Sequence, residues 1–213
     1  MIVENKIVAA TNKMIEYACK KYHYSKTLPA GRKMAFAIFE KDKFVGVIIY
    51  STGANNNIAK PFSLNQGEVI ELTRVALKSH ENFVSYYIAQ TLKIIREKSP
   101  RVKIIVSYAD IDHQQHHGGI YQATNWIYLG ISKTSDAQYF YKNKWTHVRT
   151  LDSYDKLKKE KLKRTLPKRE NSDKHKYIYC IDKKERKKYI KQSKPYPKNR
   201  VVKINGTKEN GKA

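Results

Sequence analysis

The sequence is short of cysteine: Cys19 and Cys180 are the only two in 213 residues. They lie far apart, and neither has a partner at metal-ligand or redox-motif spacing, so both read as reduced core thiols of a cytosolic protein. The chain also lacks any uncharged run near the roughly eighteen residues of a membrane span, and its first residues hold no apolar stretch of the signal-peptide kind. These absences predict a cytoplasmic protein without a membrane partner. Acid is the third shortage, with 19 Asp and Glu against 43 Lys and Arg, a formal charge of +24. Solubility asks for far less, and the imbalance implies a polyanionic partner. No internal repeat is present.

Apolar residues make up 40% of the chain, enough at this length for one sizeable core. The excess charge is uneven. Residues 1–150 carry 21 basic and 11 acidic side chains, and residues 151–213 carry 22 and 8, so the last third holds most of the surplus. Tyr154, Tyr177, Tyr179, Tyr189 and Tyr196 are interspersed with those basic residues, a mixture suited to phosphate contact with stacking on bases or sugars. The plainer alternative is a tail that only solubilises, or that touches nucleic acid without specificity.

Ile7, Met14, Ile15 and Ala18 recur near helical spacing and predict a helix over residues 4–21. The segment HYSKTLPAG follows as a loop. Residues 34–39 and 44–50 read as a hairpin, 52–67 as a loop and 68–77 as a third strand. Ser79 or Asn82 can cap a helix carrying Val84, Tyr87, Ile88, Leu92 and Ile95, which ends before Pro100. A buried strand over 102–107 comes next, then a short helix near 120–125 and strands around 127–131 and 138–149. A charged helix over 154–166 and a strand over 177–181 complete the order. The expected organisation is a single catalytic domain over residues 1–190, with 151–175 a basic helical insertion before the last strand, and a basic, disordered tail over 191–213.

Chemistry is densest in SYADIDHQQHHGGIYQATNW, residues 107–126, which packs acids, histidines, glycines and aromatics directly behind the apolar run at 102–106. Asp110 sits at that strand's C-terminal end, where open α/β sheets place their ligands. The element order predicts an α/β fold, an α+β mixed sheet with helices on both faces, as in acyltransferases of the GNAT type. Order alone is analogy and carries no chemistry. GNAT enzymes that use acetyl-CoA normally have a Gln/Arg-x-x-Gly-x-Gly/Ala loop whose bare amides grip the pyrophosphate at a helix N-terminus. Here that place reads KSHENFVS, ending at Ser85 and free of glycine, which argues against a standard CoA grip.

HYSKTLPAGRK, GVIIYSTGA, ELTRVAL, SYAD followed by HHGGIYQATNW, and KYIYCIDKK with PYPK together resemble the phage Mom family of DNA adenine-modification proteins, from about Tyr22 to Lys198. The resemblance implies a GNAT-like fold and conversion of adenine's exocyclic amine to a carbamoylmethyl derivative, which shields phage DNA from host restriction. It places the family's His-Tyr pair on His23 and Tyr24, its strand arginine on Arg74, its acid on Asp110 and its tyrosine on Tyr121. HQQHHGG departs from the shorter Gly-His run of relatives, and the roles of His113 and His116 stay open. For a phage-encoded protein the compartment is the host cytoplasm.

These residues also suit the chemistry on independent grounds. The exocyclic nitrogen is a poor nucleophile because its lone pair is delocalised, so attack on an acyl carbon needs a placed proton acceptor. Asp110 is the candidate, against the plainer reading of a strand-end carboxylate in a salt bridge. Tyr121 could donate to a developing oxyanion or be packed core, and Arg74 could hold a phosphate or carboxylate or pair with Glu71 or Asp110. His23 and Tyr24 stand in a loop, where functional residues concentrate. Ser85, His117, Gly118, Gln122, Asn125 and Trp126 are candidate substrate-binding residues. His113, His116 and His117 with Asp110 or Asp112 could supply a two-His-one-carboxylate iron set, and the resemblance keeps iron open.

The donor is either acetyl-CoA or a glycyl group, such as glycyl-tRNA; only the glycyl route balances every atom of the product. DNA, and tRNA if it carries the donor, are the expected partners. A paired adenine must be extruded to react, and Tyr108, Tyr121, Trp126, Tyr128 and Trp145 are candidate stacking residues. An acyltransferase for another amine and a noncatalytic nucleic-acid-binding protein are the alternatives.

Overall fold

The computed structural model describes residues 2–53, 57–111, 116–133, 137–148, 151, 156–171 and 173–198. In chain order its elements are β1 (Asn5–Ala9), α1 (Asn12–Lys21), β2 (Lys33–Glu40), β3 (Lys43–Ser51), β4 (Val69–Leu77), α2 (Val84–Lys98), β5 (Ile104–Asp110), α3 (Gly119–Gln122) and β6 (Ile127–Ser132). Then come β7 (Ala137–Tyr141), β8 (Lys144–His147), α4 (Lys156–Thr165), β9 (Lys168–Glu170), β10 (Lys174–Cys180) and α5 (Lys183–Ile190). Seven strands form one sheet in the order β1-β2-β3-β4-β5-β10-β6, and β8-β7-β9 form a second. In the main sheet every pairing is antiparallel except β4 with β5. Among the described residues no helix is long and apolar enough to cross a membrane.

Alternation along β3 shows how the sheet is buried on both faces. Val47 and Ile49 meet Ile15, Ala18 and Cys19 of α1, while Ile48 and Tyr50 turn to the opposite face and meet Tyr87, Ile88, Leu92 and Ile95 of α2. The stripe on α2 is the one its three- and four-residue spacing predicts. A third cluster joins Val69, Ile104, Val106 and Ile178 to Phe62 and to Tyr189 of α5.

The structure corrects several boundaries. Residues 5–9 form β1 on the sheet edge, from Asn5↔Glu40 to Ala9↔Phe36, and the helix starts only after Thr11, whose hydroxyl accepts from the Met14 N–H at 3.3 Å. Pairing with β2 decides the state of Ile7 and Val8, as tertiary context commonly overrides propensity. The strand expected over 138–149 is the hairpin β7–β8, turned at Lys142 and Asn143 with φ of 50° and 59°. Together with α4 and β9 it interrupts the connection from β6 to β10, so the insertion is partly sheet. Neither Ser79 nor Asn82 caps α2, whose N-cap is Phe83. Helix α5 is additional, capped by Asp182, which accepts from the Lys184 and Glu185 N–H groups at 2.8 and 3.0 Å.

Part of the expected disordered tail is ordered. Residues 191–198 pack back on the domain, with the Lys194 N–H bonded to Tyr128 O at 2.9 Å and the Tyr196 hydroxyl to Trp126 O at 2.6 Å. Two buried aromatic residues supply the carbonyls that hold this strap, a tertiary attraction no local composition reveals. Residues 199–213 lie outside the described residues.

Candidate active site

The parallel ladder between β4 and β5 runs only from Val69↔Ile104 to Glu71↔Val106, although the strands continue to Leu77 and Asp110. Between the diverging halves lies a cleft of about 310 Å³. Ser107 bridges its floor, with Oγ 3.0 Å from Leu72 O and 2.8 Å from the Tyr121 hydroxyl. The serine hydroxyl has one proton to share between the Leu72 carbonyl and the Tyr121 phenol oxygen, and both accept from it. On the other edge of β4 the register with β3 slips, leaving Thr73 without a partner between Arg74↔Ile49 and Leu72↔Tyr50. Such a bulge re-aims the side chain beside it, here that of Arg74, which lines the cleft.

His23, Tyr24, Arg74, Asp110 and Tyr121 all line this cavity, together with Tyr108 and His116. Arg74 donates from Nη1 to Thr73 O at 2.7 Å and from Nε and Nη2 to Thr27 at 3.4 Å. These contacts hold the guanidinium at the rim through the loop that also carries His23. The His23 ring lies 4.3 Å from that of Tyr24, tilted by 33°. Its Nδ1 accepts from the Ser25 N–H at 3.2 Å and lies 2.8 Å from Ser25 Oγ, so the neutral ring carries its proton on Nε2. Burial, with the positive charges of Arg74 and Lys26, pushes His23 down to about 4. His23 is therefore an uncharged donor at neutral pH and no general base.

A stability prediction follows from this shift. Between about pH 6.5 and 4 an unfolded histidine takes up a proton that folded His23 refuses, so the unfolded state binds more protons and stability falls as the pH drops through that window. The slope from this group is at most about 1.4 kcal/mol per pH unit. Urea melts at pH 7 and pH 4.5 should show a smaller acid loss in His23→Gln than in the parent; equal losses would remove the assignment.

Tyr121 is buried, and burial pushes its phenol up to about 12. Tyr24 is 61% exposed; partial desolvation raises its phenol, opposed by Arg74 and aided by Asp110. Glu71, read in the sequence only as a partner for Arg74, has its carboxyl raised by burial against the lowering pull of Lys174 and Arg74. His116 accepts the Gly118 N–H on Nδ1 at 3.1 Å, and burial lowers its affinity for a second proton.

The candidate substrate-binding residues are not brought to the cleft. Trp126 is fully buried against Tyr121 and Tyr179, so it cannot stack on a base. Tyr128 is also buried. Gln122 Nε2 donates to His117 O, Tyr177 Oη and Pro197 O at 3.0, 3.1 and 3.4 Å, which ties the amide to the fold. Gly118 has φ of +81°, and a Cβ there would lie 2.4 Å from the Tyr177 ring, so packing accounts for the glycine. The carbonyl of His117 accepts from Tyr177, and its ring stands 6.0 Å from that of His175. Asn125 lines a different groove with Arg186 and Lys194.

Ser85 lines a groove at the N-terminus of α2 with His80, Glu81, Asn82 and Phe83. Here lies the least legible residue of the protein. Glu40 is buried at the end of β2, and its carboxylate accepts from the Glu81 and Asn82 N–H groups at 2.7 and 2.8 Å and from the Tyr87 hydroxyl. Asn82 in turn pairs with both backbone groups of Val3, at 2.8 and 3.0 Å. Two amides of the loop before α2 are thus given to an internal carboxylate, and the loop has no glycine to let a ligand approach.

His113 and Asp112, two members of the possible iron set, lie outside the described residues. Among the described residues no group of three or more His, Cys, Asp or Glu side chains is placed to hold a metal ion.

The model of the Mom protein family matches residues 5–198. No curated protein sequence matches. An acetyltransferase that modifies the N-terminal serine of the 50S ribosomal protein L7/L12 from Salmonella typhimurium has a TM-score of 0.51 at 9% identity, over 84% of this chain and 95% of that one. The ribosomal L7/L12 α-N-protein acetyltransferase RimL in complex with coenzyme A gives 0.50 at 10% identity, over 84% and 94%. The aminoglycoside 6'-N-acetyltransferase of Enterococcus faecium gives 0.48 at 10%, over 83% and 97%. At such identities the likeness is one of fold, and the fold is that of the GNAT acetyltransferases.

Proposed function

We propose that this chain, which belongs to the Mom protein family and has the GNAT fold, is an acyltransferase that converts the exocyclic amine of adenine in DNA to a carbamoylmethyl derivative, a change that protects phage DNA from restriction. One observation carries the reading. His23, Tyr24, Arg74, Asp110 and Tyr121, singled out by the family resemblance and scattered over a hundred residues, line a single cleft. Its volume of about 310 Å³ is at the small end for a ligand pocket, roughly 300 Å³ upward, and suits a purine ring. The +24 charge supplies the phosphate attraction.

In this reading Asp110 accepts the proton that the exocyclic nitrogen sheds as it attacks the acyl carbon. His23 donates from Nε2 to an acceptor on the base or the donor. Arg74, pinned by Thr27 and Thr73, sets a positive field where negative charge develops. Tyr121, buried and accepting from Ser107, holds the cleft floor.

RimL has been seen with coenzyme A, which makes acetyl-CoA one donor to consider. The loop before α2 does not fit a diphosphate grip, because Glu40 holds two of its amides. An activated glycyl ester suits the product better. Adenine's nitrogen displaces the ester oxygen and becomes a glycyl amide; the glycyl amine then adds to ring carbon six, and the original nitrogen leaves that carbon as the terminal amide. Feeding nitrogen-15 glycine to cells expressing the protein, followed by nucleoside mass spectrometry, tests both parts. A shifted, labelled deoxyadenosine is expected. An unlabelled product removes the glycyl donor, and no product at all removes the function.

A further inference from the structure

The small sheet β8-β7-β9 takes no part in the cleft, and its two faces differ. Phe140 pairs with Trp145, Gln138 with both His147 and Arg169, and Tyr139 with Thr146 and Lys168. Residues directly opposite in antiparallel strands share a face. Tyr139 and Thr146 are buried on one side, whereas Phe140 and Trp145, 40% and 38% exposed, stand on the other. Their rings meet edge to face at 5.4 Å. The Arg169 guanidinium lies 4.5 Å from the Trp145 ring centroid and is held there by Gln138 Oε1, which accepts from Nε and Nη2 at 2.9 and 2.6 Å. Around this fixed cluster the segment is strongly basic, with eleven Lys and Arg against four Asp and Glu over residues 137–171.

The sheet is also tethered beside the cleft. Its connections leave the main sheet at Ser132 and return at Lys174, which pair with each other, and Lys174 pairs on its other side with Asp110. Only residues 171–173 separate β9 from Lys174, so the end of β9 lies within about 15 Å of Lys174, given a reach of at most ~3.6 Å per residue, and Lys174 is the cross-strand partner of Asp110.

We propose that the Phe140–Trp145–Arg169 face is a stacking platform for an unpaired base of the DNA strand flanking the modified adenine, with the insertion's lysines on its phosphates. The proposal rests on the DNA reading above. Extruding an adenine unstacks its neighbours, and those bases need a surface that is indifferent to sequence. Aromatic rings with a guanidinium supply it, because every base has a π-face. A protein partner would favour a broader apolar patch with fewer cations around it.

Trp126 is fully buried and Trp145 is the only other tryptophan, so a change of intrinsic emission on binding reports Trp145. A single-stranded oligodeoxynucleotide of about twelve residues, within the usual site sizes, should quench that emission in the full chain. Heparin, a polyanion without bases, should compete for binding without quenching. Trp145→Ala and Phe140→Ala should each weaken oligonucleotide affinity roughly five- to a hundredfold and leave heparin affinity unchanged, while Trp145→Phe, which keeps a ring, should recover most of the loss. Salt-sensitive oligonucleotide binding with unquenched emission and undiminished affinity in Trp145→Ala overturns the platform and leaves the DNA reading standing. Failure to bind DNA even at low salt overturns both.

Discussion

Asp110→Asn should leave a folded protein whose adenine modification is about 10²–10⁴-fold slower, the range lost when a placed proton acceptor is removed. The substitution keeps the side chain's size and planar shape but replaces one acceptor oxygen with a donor NH2 and takes away its basicity. Asp110 is the last residue of β5 and pairs with Lys174 of β10 through the backbone, so the ladder does not depend on the carboxylate. Removing this charge also ends its upward push on the Tyr24 phenol, a secondary change in the direction of easier ionisation. Single-turnover nucleoside mass spectrometry, with a thermal melt as a control on folding, decides the point. A rate within tenfold of the parent would take Asp110 out of the chemistry.

Gly118→Ala should be the most damaging single-methyl change at the site, lowering stability by about 2–5 kcal/mol. A left-handed backbone costs an L residue roughly 1–2 kcal/mol, and forcing a methyl into a packed core costs about 1–3 more. The new Cβ would lie 2.4–2.7 Å from two ring carbons and the hydroxyl oxygen of Tyr177. That ring cannot retreat: its hydroxyl donates to His117 O and accepts from Gln122, and its face packs on Tyr121 and Tyr128. Gly119, where a Cβ would meet nothing within 4 Å, is the control, and its alanine variant should be much milder. In a Tyr177→Leu background the Gly118→Ala penalty should shrink toward the backbone cost alone. A loss under about 1 kcal/mol in the parent background, less than strain alone predicts, would refute this account.

The sequence was most legible where the deciding contacts are local. Alternation in β2 and β3, and the spacing of Val84, Tyr87, Ile88, Leu92 and Ile95 in α2, mark surfaces that the structure buries as expected. Ile7 and Val8 suit either a helix or a strand, and only β2 across the sheet settles the choice. Helix α5 was hidden because its run of lysines masks the period, with Tyr189 as its sole buried residue. The hairpin β7–β8 was hidden because its turn is Lys142-Asn143, without the glycine that usually signals φ above zero at both central positions. At the site, Asp110 was legible from its place at a strand end, whereas His23, Tyr24, Arg74 and Tyr121 came from family resemblance, since no spacing rule joins position 23 to position 121. Trp126, Gln122 and Gly118 lie outside the cleft lining; a dense motif does not say which side chains face the cleft and which brace α3 from behind. Glu40 offered no signal, sitting in a turn-like EKDK whose acid reads as solvated.

The last strand of the main sheet to be synthesised is not at its edge. β10 sits between β5 and β6, and a growing chain acquires it only after every other strand has left the ribosome. Until then the hydrogen-bonding edge of β5, from Ile104 to Asp110, faces water with nothing beside it, and β6 has no neighbour to join it to the sheet. Open apolar edges recruit other chains, so fragments that stop before Lys174 should aggregate, and the competent cleft should form only once β10 has been made.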